Sequence, residues 1–234
     1  MTSVLMILTG AKTWTMKNGL AHPTGYWAHE FIRPHQLFIE AGFEVSIATP
    51  NGVTPTVDPL SLSLGYNNND AADVAGQEAY IQNLSDVLSS TLILEDVQPN
   101  YDVVFIVGGH GPMQDLAVHP TIGTLLAATL DNPKKILSSV CHGPASFISA
   151  HKANGSWLFT GRKLTGFSNE EENQATFAGN APWLLEDRLR LSGAHYISEP
   201  AWSAHVVEDG NLITGQNQVS AEAAALAILK KLKS

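Results

Sequence analysis

The stretch Ile136-Leu137-Ser138-Ser139-Val140-Cys141-His142-Gly143-Pro144-Ala145 packs a strand, a reactive side chain and a helix start into one short segment. Ile136 to Val140 has the length and apolar content of a strand buried on both faces. Pro144 presets the backbone for the first turn of a helix that runs on to Ala150. Between them stands Cys141, with Ser139 and Gly143 at the two tight positions of a sharp turn. This is the pattern of a nucleophile elbow with cysteine in place of serine. It predicts strained backbone at Cys141, a sulfur pointing outward, and a thiolate favoured by the helix N-terminus.

On both sides of this junction strands alternate with helices. Val4 to Thr9, Phe43 to Ala48 and Val103 to Val107 are further runs of strand length, and Lys163 to Phe167, His205 to Val207 and Leu212 to Thr214 are shorter candidates. Helical spacing covers Tyr26 to Ala41, where Pro34 predicts a kink or break, and Thr121 to Leu130, Glu170 to Phe177 and Leu184 to Leu191. A last helix, Ala221 to Leu232, has Ser220 as its expected N-cap. A polar loop is expected through His22 and Pro23. The rhythm predicts an α/β fold with a flavodoxin-like, open, mostly parallel sheet and helices on both faces. The chain reads as a single domain, residues 1–234, with a surface insertion at about 53–95 that leads into a helix from about Asp73 to Leu88 and could cover an active-site mouth.

With 22 acidic against 13 basic residues the formal net charge is −9, which disfavours nucleic acid and anionic membranes as partners. The apolar run Val4 to Leu8 has no basic leader and is too short to span a membrane, so a cytoplasmic location is expected. A single cysteine allows no internal disulfide and leaves a thiol for chemistry. The nine histidines include His22, His29, His110 and His119, which could meet in space, but no HExxH pair or cysteine cluster is present. Neither a metal nor another cofactor is expected.

A thiol nucleophile needs a proton acceptor, and His142 adjoins Cys141. Gly108-Gly109-His110-Gly111 follows the strand ending at Val107, and neighbouring parallel strands open on the same edge of the sheet. The Gly109 N–H could therefore face Cys141 and form an oxyanion hole with the His142 N–H. Trp14, Trp27 and Trp202 are core candidates, although Trp202 could line a pocket if its loop folds over the sheet edge.

Several ordered motifs extend this reading: Thr24-Gly25-Tyr26-Trp27-Ala28-His29-Glu30, Gly109-His110-Gly111, Cys141-His142-Gly143-Pro144-Ala145, and Thr165-Gly166-Phe167 followed by Glu172. With Pro200-Ala201-Trp202 and Thr214-Gly215-Gln216-Asn217, they resemble the ThiJ/PfpI superfamily, a glutamine-amidotransferase-like group. Within it the chain looks most similar to the heat-shock branch of glutathione-independent glyoxalases, which double as holding chaperones. The resemblance implies Cys141 as nucleophile, His142 as base, Glu172 as the triad member that orients the histidine, and Glu30 as an acid hydrogen-bonded to the cysteine. Glu170 and Glu171 adjoin Glu172, so a one-residue shift would hand the role to a neighbour. Because a carboxylate beside a thiolate is destabilising, Glu30 should be protonated while Glu172 stays ionised. The implied reaction is cofactor-free conversion of methylglyoxal, or a similar small 2-oxoaldehyde, to a 2-hydroxy acid such as lactate through a cysteine hemithioacetal. Alternatives are a cysteine peptidase or amidase, a protein deglycase, and a stress chaperone or redox sensor. By analogy the expected assembly is a homodimer.

Overall fold

The computed structural model describes residues 1–233. Its strands are β1 (Ser3–Ile7), β2 (Thr13–Thr15), β3 (Ala21–Pro23), β4 (Glu44–Thr49), β5 (Leu92–Ile93), β6 (Val103–Ile106), β7 (Ile136–Val140), β8 (Lys163–Leu164), β9 (His195–Tyr196), β10 (Val206–Asp209) and β11 (Leu212–Gly215). The α-helices are α1 (Ala28–Glu40), α2 (Ala71–Asn83), α3 (Ser85–Ser89), α4 (Gly111–Gln114), α5 (Ile122–Leu130), α6 (Asn169–Gln174), α7 (Leu185–Leu191) and α8 (Ala221–Lys231).

Seven strands form one sheet in the order β10-β11-β7-β6-β1-β4-β5, and only the β10–β11 pair is antiparallel. The run β4-β1-β6-β7-β11 is the flavodoxin-like winding, in which ligands bind beyond the carboxyl ends of the strands near the point where the order reverses. Successive side chains of a strand point to opposite faces. Leu5 and Ile7 accordingly join Val104, Ile106 and Leu137 in a core with Phe147 and Phe159 on one face of the sheet. Val4, Met6 and Leu8 join Phe105, Phe31, Phe38 and Ile228 on the other, under α1 and α8. Each face is thus sealed by helices, and the carboxyl-end edge is where loops and polar residues collect.

Some local expectations change. The segment after Cys141 is not an α-helix but a 3-10 helix, Gly143–Ser149. Pro34 neither breaks nor ends α1; it is itself buried within the unbroken helix, whose packing against α8 outweighs the missing N–H. The expected loop through His22 is the β2–β3 ribbon, paired from Thr13–Pro23 to Thr15–Ala21. Lys163 begins only a two-residue strand, which pairs with β9 outside the main sheet. Ser220 does not cap α8 with its side chain, because its hydroxyl is taken up by Asn217 Oδ1 at 2.7 Å and the His205 N–H at 3.0 Å. The helix expected from Asp73 to Leu88 is divided between α2 and α3, and Asp70, not a residue nearer the predicted start, caps it through the N–H groups of Ala72 and Asp73. The segment around 53–95 is stitched to the body: Thr24 Oγ1 donates to buried Asp58 at 2.7 Å, and β5 pairs with β4. Among the described residues no helix is long and apolar enough to cross a membrane.

Candidate active site

The carboxyl ends of β6 and β7 shape the site. Cys141 has φ 56°, a left-handed conformation costly for a residue with a side chain. Two backbone bonds hold it there: its N–H donates to Gly215 O at 3.0 Å, and its carbonyl accepts from the Phe167 N–H at 2.8 Å. A Cβ at Gly143 would stand 2.4 Å from Ser139 Oγ and 2.8 Å from Ile106 O, so the turn admits no side chain there. Gly109 has φ 91°, and a Cβ on it would meet Gly25 O at 2.4 Å. This close approach docks the loop after β6 onto the segment entering α1, where the Trp27 N–H donates to Gly108 O at 3.1 Å. The first turn of α1 is thereby set beside the cysteine.

His142 Nδ1 lies 3.4 Å from Cys141 Sγ, and its Nε2 lies 2.6 Å from Glu172 Oε2. The second oxygen of Glu172 lies 2.8 Å from His110 Nε2. One carboxylate therefore holds two imidazoles, whose ring centroids are 4.1 Å apart. An ionised carboxylate only accepts, so each ring donates through Nε2, and in its neutral form carries a free lone pair on Nδ1. The lone pair of His142 is the one that faces the sulfur. On the other side Glu30 is wholly buried: Oε2 accepts the Gly108 N–H at 2.9 Å, and Oε1 has no conventional partner, the thiol being the polar group beside the carboxyl.

These surroundings set the protonation states. Burial pushes Glu30 up to about 8, against the lowering effect of hydrogen bonds with Cys141 and the Gly108 N–H. Burial would also raise Glu172, but the adjacent His110 and His142 rings and their hydrogen bonds outweigh it and hold the carboxyl well below the usual carboxylate range. Burial lowers His142, reinforced by His110 and opposed by Glu172. Burial, with the Glu30 carboxyl next, pushes the Cys141 thiol well above its ordinary value, while the Gly109 N–H directed at the sulfur works the other way. Desolvation therefore favours the neutral thiol, against the thiolate expected from the helix N-terminus.

Above the sulfur lies a narrow pocket walled by Gly109, His110, His142, Phe167, Phe177 and Trp202. Trp27 and Tyr66 also line it and are shared with a wider outer cavity. Glu30 is not part of the inner wall.

The signature of the DJ-1/PfpI family matches residues 21–231. The chain belongs to the DJ-1/PfpI family. A curated relative, Glyoxalase 3 of Candida albicans, is 29% identical over 231 residues, covering 94% of each chain. A crystal structure of glyoxalase III from Candida albicans superposes with a TM-score of 0.79 at 25% identity, over 98% of this chain and 96% of that one. The X-ray structure of the Francisella tularensis Rapid Encystment Protein 24 kDa superposes with a TM-score of 0.83 at 30% identity, over 99% of both chains.

Within this DJ-1/PfpI fold the three consecutive acids divide sharply. Glu172 is the one that reaches His142. Glu171, equally buried, clasps the loops: Oε2 accepts from the Ser168 N–H and hydroxyl, while Oε1 accepts from the Trp202 N–H at 3.0 Å, Gln216 Nε2 at 3.1 Å and Asn217 Nδ2 at 2.7 Å. Glu170 is exposed and bonded to Gln174. The clasp holds Trp202, at φ 64°, over the pocket.

The histidines sort themselves differently from the grouping expected. His119 is paired with Glu95 at 3.0 Å, and His22 packs edge-on to Phe177. His110 instead joins His142 and Glu172, whose ligand-type atoms lie within 4.8 Å of one another, each already engaged in the hydrogen bonds just described. Its ring is fixed by stacking on Trp14 at 4.7 Å and contact with Phe177 at 4.8 Å. His110 thus belongs with the cysteine and not with His22, His29 and His119, the histidines it was grouped with from sequence. The missed signal was a histidine placed just after a strand whose end neighbours that of the cysteine strand.

Proposed function

We propose that this protein is a glutathione-independent glyoxalase that converts methylglyoxal, or a similar 2-oxoaldehyde, to a 2-hydroxy acid, using Cys141, His142 and Glu172 as its triad. The observation that carries the reading is the cysteine at the floor of a small aromatic pocket, with His142 Nδ1 3.4 Å from its sulfur. The names of the relatives point the same way. A peptide chain needs an open groove, and the inner pocket is walled by Phe167, Phe177 and Trp202 instead.

Attack begins from the neutral thiol. The sulfur bonds to the aldehyde carbon, C1, as its proton passes to His142 Nδ1. The carbonyl electron pair moves to O1, which takes that proton and leaves a hemithioacetal with His142 neutral again. His142 then removes the hydrogen on C1, and the freed pair forms C1=C2 while charge moves to O2. The resulting imidazolium is stabilised by Glu172 and returns its proton to C2 as the O1 hydroxyl proton is transferred to O2, giving a thioester. Water hydrolyses the thioester with His142 as base, and the departing sulfur recovers the proton. Protonated Glu30 and the Gly109 N–H face the sulfur and stabilise charge there as it attacks and leaves. The Gly109 N–H is shared between the sulfur and the oxyanion that forms beside it, and the His142 N–H is the second oxyanion donor. A cytoplasmic homodimer belongs to this reading by analogy with the superfamily, and an unpaired, reduced thiol suits a reducing compartment.

The test is to incubate the purified protein with methylglyoxal in thiol-free buffer. Lactate should form with the wild type and stay at background with Cys141→Ala. No lactate from the wild type, or equal amounts from the variant, would overturn the proposal.

A further inference from the structure

We propose that His110 is a second catalytic imidazole, which carries the hydroxyl proton from O1 to O2 while His142 carries the carbon-bound proton from C1 to C2. The inference rests on the glyoxalase reading above and adds the residue that this reaction still lacks.

The isomerisation needs two separate proton movements. After His142 takes the C1 hydrogen, O2 bears the negative charge and O1 still bears a proton. For the thioester to form, O1 must lose its proton as C2 gains the one on His142, and O2 must end as a hydroxyl. One proton therefore moves from C1 to C2, and another from O1 to O2. His142, protonated by the first movement, is not free for the second at the same moment.

His110 has the placement for that task. It lines the same pocket as Cys141 and His142, with ring centroids of the two histidines 4.1 Å apart. Its Nε2 is committed to Glu172 Oε1 at 2.8 Å, and Nδ1 has no hydrogen-bond partner among the described residues. Trp14, stacked at 4.7 Å with an interplanar angle of 16°, keeps the ring from turning that nitrogen away. Glu30, the other acid near the cysteine, does not wall the pocket and is kept to the sulfur side. In the relay, Nδ1 accepts the O1 proton and the same atom returns it to O2, so His110 ends as it began, and no further reactant is required. Glu172, touching both rings, stabilises whichever one is transiently charged.

The deciding variant is His110→Gln, whose amide can keep a donor toward Glu172 but offers no base, with His110→Asn as a second variant should the first not fold by circular dichroism. Two rates are measured on each: lactate formation from methylglyoxal, and alkylation of Cys141 by iodoacetamide, which needs His142 but no substrate proton relay. The expected result is a fall in kcat of about 100-fold or more, the usual size of one proton-transfer contribution, with KM and the alkylation rate within about two-fold of the wild type. Wild-type kcat in a folded variant would overturn the proposal. So would a parallel fall of both rates, which would make His110 only a positioning residue for Glu172 and His142. Absence of lactate from the wild type itself would instead count against the glyoxalase reading.

Discussion

Glu30, in the first turn of α1, and Glu172, in α6, flank the same Cys141–His142 pair from opposite sides, and both are almost fully buried. Glu30 receives a single backbone donor and has a thiol as its other neighbour, so burial dominates and its proton is retained up to about pH 8. Glu172 receives two imidazole donors, at 2.6 and 2.8 Å, and stays ionised despite a similar loss of water. Depth alone therefore does not set a carboxyl's state; the number and kind of donors aimed at it does. Glu171, a third buried carboxyl, is surrounded by loop donors and serves as a clasp.

The comparison breaks most sharply at Glu172. Glu172→Gln substitutes an amide that cannot accept fully from both rings, and the neutral His142 then shifts its proton toward Nδ1, the atom that must accept from the thiol. A fall in kcat of about 10³- to 10⁴-fold is expected, as when a catalytic histidine is held in the wrong tautomer. Steady-state lactate formation measures it, and a variant within ten-fold of the wild type would show that the carboxylate does not control the ring.

A smaller effect is expected at Glu30, in stability and not in turnover alone. Its folded-state value of about 8 lies above the ordinary 4.5. The contribution of this group is thus fully present below about pH 4.5, is lost progressively as pH rises, and has gone above about pH 8. Integrated over that window the change is on the order of several kcal/mol at most. Glu30→Gln, neutral at every pH, should show a flatter decline of unfolding free energy between pH 5 and 8, measured by denaturant titration. Parallel slopes for variant and wild type would contradict the assigned state of Glu30.

Much of this architecture is written in short local signals. The buried run Ile136 to Val140, followed by Cys141 and Gly143, specified the elbow because only a tight turn explains small residues at both flanks of a cysteine. The alternation of apolar runs with helical spacing gave the parallel sheet, since strand periodicity is a local property. What lay beyond reading was set by long-range contact. The β2–β3 ribbon is short and polar, and its Trp14 acquires meaning only by stacking on His110, far along the chain. Pro34 predicts a kink or break from sequence alone because the stabilisation that carries α1 through it comes from α8. The thiol's raised value depends on burial, which no motif reports, and the separate duties of Glu170, Glu171 and Glu172 depend on which loop each carboxyl faces.

The opposite states of the two carboxyl groups are accessible most directly by ¹³C NMR of protein labelled at the glutamate side-chain carboxyl, titrated with pH and assigned with Glu30→Gln. One resonance, missing from that variant, should titrate near pH 8, while the resonance of Glu172 should remain that of a carboxylate through the acid range in which the protein stays folded. A Glu30 resonance that titrates alongside the surface acids would contradict the account.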